Sequence, residues 1–173
     1  WKKAAELVAQ GKAKKINGHN VLMMETAIKE GILFLIPEPK SPHGVDVTPD
    51  GTKIVVSGKL DTHVSVYSFE KIMAAIKAGK FESKDPYGIP VIAMKDALHT
   101  QVQLGLGPLH TQFDSKNCVA YTSLYVDSQV AKWNFCDGKV LDKISVHYNI
   151  GHLMTMEGDT VAPKGRYLVV LNK

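Results

Sequence analysis

Three of the seven histidines in this 173-residue chain stand where a turn gives way to an extended run. His110 lies in Gly107-Pro108-Leu109-His110-Thr111-Gln112-Phe113-Asp114, and His43 in Ser41-Pro42-His43-Gly44-Val45-Asp46. His152 lies in Asn149-Ile150-Gly151-His152-Leu153. Each follows a small or turn-forming residue and opens a strand-like segment. If these segments are equivalent strands of a repeating fold, the three imidazoles share one rim and can share one ligand. Neutral imidazole suits copper, zinc, iron and nickel, so the chemistry indicated is transition-metal binding. Nothing in the packing of a repeat requires histidine at that position. His19, His63, His99 and His147 do not share it and read as solvated or locally satisfied side chains.

The elements that must position these histidines repeat along the chain. Placing His43 over His110 puts Val45-Asp46 one residue out of register with Phe113-Asp114. Past that point the match runs at a shift of 66: Pro49-Asp50-Gly51 over Ser115-Lys116-Asn117, Lys53–Ser57 over Val119–Ser123, and Asp61 over Asp127. A third unit starts at His152, where Lys164–Val170 mimics Asp50–Val56 and Lys173 falls at the position of Lys59. Pro49-Asp50-Gly51 is a hairpin turn signal, and His63–Tyr67 alternates as a strand. Helices are expected over 1–12 and 69–78, each closed by a glycine followed by lysine. Gly31–Ile36 is an apolar, β-leaning run stopped by Pro37 and Pro39, and Lys80–Tyr87 reads as loop. Repeated units of short antiparallel strands point to a β-propeller, because one such sheet buries its faces only by stacking radially on its neighbours. The chain opens on Trp1 and carries too few units to close a ring. It is therefore expected to be an internal segment of a longer protein.

Composition excludes other classes. The net charge of +4 is scattered rather than clustered, giving no ground for nucleic-acid binding. The apolar runs are too short to span a membrane. Cys118 and Cys136 are not in a C-x-x-C pair and read as buried or half-buried thiols, with a disulfide between them left open. Asp46, Asp114 and Asp127 read as turn and strand-end residues, the alternative being a supporting role behind a histidine. Met23, Met24, Met154 and Met156 read as packing. No Walker loop, nucleophile elbow or H-E-x-x-H is present.

The runs Gly105–Thr111, Tyr121-Thr122, Asp127–Val130 and Lys132-Trp133-Asn134 resemble nitrous-oxide reductases. So do Ser41–Gly44 and Val146-His147-Tyr148 through Gly151-His152-Leu153. The likeness covers nearly the whole chain, and its departures between His43 and His110 and after Trp133 resemble the divergent second clade of that family. It implies an all-β fold: residues 1–173 would be an internal segment of one seven-bladed propeller domain, with short helices between blades and no complete domain boundary. In the family this domain holds a four-copper, sulfide-bridged cluster bound by seven histidines. Three of these map to His43, His110 and His152; the others, and a two-copper electron-entry domain, would lie outside the chain. Lys173 matches a lysine beside the cluster with a polar or proton-linked role. Its carbonyl is associated with a structural calcium, and Ser41 falls where some relatives carry a calcium-binding Asn. The implied activity is two-electron reduction of N2O to N2 and water in denitrification. The implied setting is a periplasmic homodimer fed by a cytochrome or cupredoxin. The alternative reading is a non-catalytic propeller used as a binding platform.

Overall fold

The computed structural model describes residues 2–155 and 166–173. In chain order the strands are β1 (Lys14–Ile16), β2 (His19–Val21), β3 (Pro42–Val47), β4 (Lys53–Gly58), β5 (His63–Ser68), β6 (Ser83–Lys84) and β7 (Pro90–Val91). They continue as β8 (Leu98–Gln103), β9 (Pro108–Asp114), β10 (Val119–Leu124), β11 (Gln129–Asn134), β12 (Val140–Ser145), β13 (Ile150–Thr155) and β14 (Leu168–Asn172). The helices are α1 (Lys2–Ala9), α2 (Met24–Lys29), α3 (Phe69–Lys77) and α4 (Met94–Ala97). These elements fall into two compact units, Trp1–Pro37 with Ala75–Ala93, and Glu38–Ala74 with Met94–Lys173.

In the first unit, β1 pairs with β2 and β6 with β7. α1 and α2 each close on a glycine with positive φ, Gly11 and Gly31. At α1 the Gly11 amide donates to Val8 O (3.0 Å) and the Lys12 amide to Leu7 O (3.0 Å). The same paired bonds, from Gly31 to Ile28 O and Ile32 to Ala27 O, end α2. α3 ends likewise at Gly79 and Lys80, so the glycine-lysine tail marks one shared stop. The strand expected over Gly31–Ile36 is not formed. The cap of α2 consumes its first two residues, and what remains makes a single parallel bridge between Leu35 and Val91.

The second unit holds two four-stranded antiparallel sheets, ordered β3-β4-β5-β8 and β9-β10-β11-β12, followed by the pair β13-β14. These sheets are blades, and the chain is part of a β-propeller. The innermost strands β3, β9 and β13 lie side by side, with β9 in the middle. The predicted turn at Pro49-Asp50-Gly51 connects β3 to β4. Its Asp50 carboxylate accepts from the Thr48 hydroxyl (2.6 Å) and the Thr52 amide (3.0 Å), which hold its pKa down at about 2. The core runs between the two complete blades, joining Val55, Val64, Val66 and Val102 to Ala120, Ala131, Trp133 and Phe135. Trp133 is fully buried; its indole N–H donates to Thr122 Oγ1 (2.9 Å), which in turn bonds Thr111 Oγ1 (2.8 Å). Of the third unit, Lys164 and Gly165 lie outside the described residues, while Leu168–Asn172 forms the second strand of the blade as the repeat predicts.

The cysteines are joined. Cys118 closes the turn between β9 and β10 in a left-handed conformation (φ 52°), and Cys136 sits in the turn between β11 and β12. Their Cα atoms are 5.9 Å apart, and the Phe135 amide donates to Cys118 O (2.9 Å). The spacing of 18 residues brings them together because β10 and β11 pair as one hairpin with Val119 opposite Asn134, a register that the sequence alone left open. The bridge staples the end of the blade away from His110. Reducing it, or replacing both cysteines by serine, is expected to destabilise the protein by about 3 kcal/mol by the loop-closure relation. Urea unfolding with and without a reductant measures this, and an unchanged midpoint would count against the staple.

Candidate metal centre

The inner strands bring the three predicted histidines into contact. The ring centroids of His43 and His110 are 4.9 Å apart, edge to face, and those of His110 and His152 are 4.5 Å apart, nearly parallel. His110 is half-buried in the middle; His43 and His152 are more exposed on either side. The Nε2 atom of His110 is buried and has no hydrogen-bond partner among the described residues.

Each histidine sits in a β-bulge. In the first blade Pro42 pairs with Gly58 but Val45 with Val56, so two residues of β3 face one of β4. The same step occurs between Pro108 and Thr111 on β9, and between Ile150 and Leu153 on β13. Ahead of each bulge stands a residue in the left-handed region: Ser41, Gly107 and Asn149. Its carbonyl accepts the amide of the residue following the second strand, Lys59 (2.9 Å), Tyr125 (2.7 Å) and Lys173 (3.1 Å) respectively. Ser41 therefore lies just before β3 with its carbonyl engaged, and Lys173 occupies the Lys59 position as the repeat predicts.

This register corrects the alignment of His43 with His110. The residue of β3 equivalent to His110 and His152 is Gly44, and His43 is the first bulge residue rather than the second. The cause is steric. A Cβ on Gly44 would lie 1.9 Å from the Leu109 carbonyl oxygen and 3.2 Å from His110 Cα. With no room for a side chain there, the imidazole is supplied one residue earlier, and the rings still meet.

Two lysines flank the cluster. The Lys173 stem covers Gly151, with Cε 2.7 Å from where a Cβ would be. Lys59 places its ammonium 4.2 Å from the centre of the Tyr125 ring. Burial lowers the pKa of His110, aided by His152, His43 and Lys173. Desolvation, then the charges of Lys173 and Lys59, lowers that of His43. Both rings are thus held neutral, the form that offers a lone pair to a metal.

Sequence reasoning missed three contributors: Gly44, Ser123, whose hydroxyl accepts the His110 amide (3.2 Å), and Tyr125. Asp46, for which the sequence favoured a strand-end reading over a supporting role behind a histidine, accepts the Thr111 amide (2.9 Å) of the neighbouring blade through its carboxylate. The signal for Asp46 was a carboxylate between two valines on a strand. The remaining histidines lie elsewhere. His63 bonds Asp61 (3.3 Å) and Thr62 (3.1 Å), His99 reaches the Cys136 carbonyl (3.5 Å), His147 is exposed, and His19 belongs to the other unit.

A family model described as "Nitrous oxide reductase propeller repeat" matches residues 143–173, the stretch that contains Gly151, His152 and Lys173. The nitrous-oxide reductase of Ralstonia nicotianae is 35% identical over 153 residues, covering 82% of this chain and 22% of that protein. That of Stutzerimonas stutzeri is 36% identical over 148 residues, covering 80% and 21%. This chain is a homologue of part of nitrous-oxide reductase. It spans about a fifth of the length of these reductases. A solved structure of the RRP9 WD40 repeats covers 70% of the chain and 31% of its own, with a TM-score of 0.50 at 14% identity, a likeness of fold alone.

The reductase homology implies copper, and the donor set fits it. Three adjoining imidazoles, with His43 and His110 held neutral and His110 also carrying an orphaned buried nitrogen, suit a transition metal. Among the described residues no group of three His, Cys, Asp or Glu side chains is arranged around a single ion.

Two outcomes follow. Gly44→Ala must push β3 from β9 and is expected to lower stability by about 2–3 kcal/mol, read from the urea midpoint. In metal-free protein, the unfolded chain binds protons at His43 and His110 more readily than the folded one. Stability is therefore lost as pH falls below about 6.5 and is insensitive to these rings above it. Lys173→Met should shrink this acid loss; an identical pH profile would contradict the charge effect.

Proposed function

We propose that the chain is an internal segment of the seven-bladed propeller domain of a copper-dependent nitrous-oxide reductase. The observation that carries this reading is the convergence of His43, His110 and His152 from three successive inner strands, in a homologue of that enzyme. His43, His110 and His152 would each donate an imidazole to a multicopper-sulfide cluster whose other ligands lie outside the chain. Copper bound there would supply the Lewis acidity and the electrons for N2O + 2H+ + 2e− → N2 + H2O.

The chain's own residues prepare that chemistry. Neutral imidazoles present lone pairs without first losing a proton. The paired bulges and the close approach of β3 to β9 fix ring positions before any metal arrives. Lys173, whose stem lies on Gly151 beside His152, holds a cation at the edge of the site and is the candidate for a proton-linked role. A structural calcium would take the Lys173 carbonyl and an oxygen of Ser41. The disulfide favours an oxidising compartment, in keeping with a periplasmic location. A homodimer, a cytochrome or cupredoxin as electron donor and a place in denitrification complete the reading.

The test is copper and acid-labile sulfide in the full protein that contains this chain, purified without oxygen. Several coppers with sulfide per subunit are expected, falling on substitution of His43, His110 or His152. A copper-free protein with a closed propeller would overturn the reading in favour of a binding platform. The 173-residue chain alone, holding a minority of the ligands, is expected not to retain the cluster.

A further inference from the structure

The strand that carries His110 is gripped at three consecutive residues. Gly44 meets the Leu109 carbonyl so closely that a Cβ would stand 1.9 Å from it. Ser123 accepts the amide of His110 itself (3.2 Å). Asp46 Oδ2 accepts the amide of Thr111 (2.9 Å). Two of these three holds come from β3, so the inner strand of the first blade fixes the backbone on both sides of the histidine of the second.

Asp46 is the informative member. Val45 and Val47 beside it are 62% and 53% exposed, while the Asp46 carboxylate turns inward between the blades. Its hydrogen bond goes to a backbone amide rather than to a cation. Withdrawing a carboxylate from water for one amide is unfavourable unless position matters more than packing. The residue it holds is anchored in turn, since the Thr111 hydroxyl continues through Thr122 to the buried Trp133 indole. Among the described residues the next interface shows no equivalent hold. Gln112, equivalent to Asp46, turns its amide back to the Thr111 carbonyl (3.3 Å), and Thr155 instead donates to Phe113 O (3.2 Å), farther from the histidine.

We propose that Asp46 is a positioning residue for His110: by holding the Thr111 amide it sets the register of β9 against β3 and so the place of the central imidazole. This rests on the copper reading, in which His110 is a ligand. Asp46→Ala removes the acceptor, and Asp46→Asn keeps an oxygen in its place. Asp50→Ala weakens the same hairpin at its far turn and serves as a stability control.

In the full protein, Asp46→Ala is expected to lose about 10-fold in copper retention, as removal of outer partners of metal ligands does, and to alter the absorption spectrum of the remainder. Asp46→Asn should stay close to the parent. Asp50→Ala should lower the urea midpoint while keeping copper. Normal copper and spectrum in Asp46→Ala would overturn the proposal. So would equal copper loss in Asp50→Ala at a matched midpoint, or failure of Asp46→Asn to rescue. A parent protein without copper would remove the functional reading alone. Hydrogen exchange over residues 108–114 then decides: faster exchange in Asp46→Ala but not Asp50→Ala upholds the hold on Thr111, and unchanged exchange overturns it.

Discussion

The contact between Gly44 and the Leu109 carbonyl governs the site. Two neighbouring blades must approach until backbone meets backbone, and at that distance no side chain fits. The position of His43 in the sequence follows from accommodating this approach, and Asp46 reaches the Thr111 amide across the same interface. The histidine cluster is thus a property of an interface between sheets. No single blade contains it, and its geometry is only as firm as the packing of Val55, Val64 and Val66 against Ala131 and Trp133 behind it.

Most of the architecture was legible because it repeats. Pro49-Asp50-Gly51 announces its hairpin by turn chemistry, and the 66-residue shift from that turn through Asp61 and Asp127 is the register the sheets adopt. The three histidines were visible because imidazole serves no packing purpose at a strand entrance. What was not legible depended on contacts between distant residues. The one-residue offset of His43 showed in the sequence as a break in the alignment, but its cause lies on another strand. The disulfide needed the register of the β10–β11 hairpin, and the run Gly31–Ile36 lost its first residues to a helix cap that alternation of apolar residues does not reveal.

Electrostatics and packing act together around the rings. Burial, then the charges of Lys173 and Lys59, press His43 toward neutrality, while the aromatic face of Tyr125 takes up part of the Lys59 charge. The Lys173 stem over Gly151 shields the backbone beside His152.

The bulges carry a consequence for how such a rim can vary. In a regular strand, moving a side chain by one residue sends it to the opposite face. Where two residues oppose one, both border the same opening, so an inner strand has two addresses for one imidazole. The first blade uses one address and the next two blades the other, with no slip of the hydrogen-bonded ladder. Donor spacing along the chain can therefore drift by one between blades, or between distant homologues, while the constellation in space stays the same.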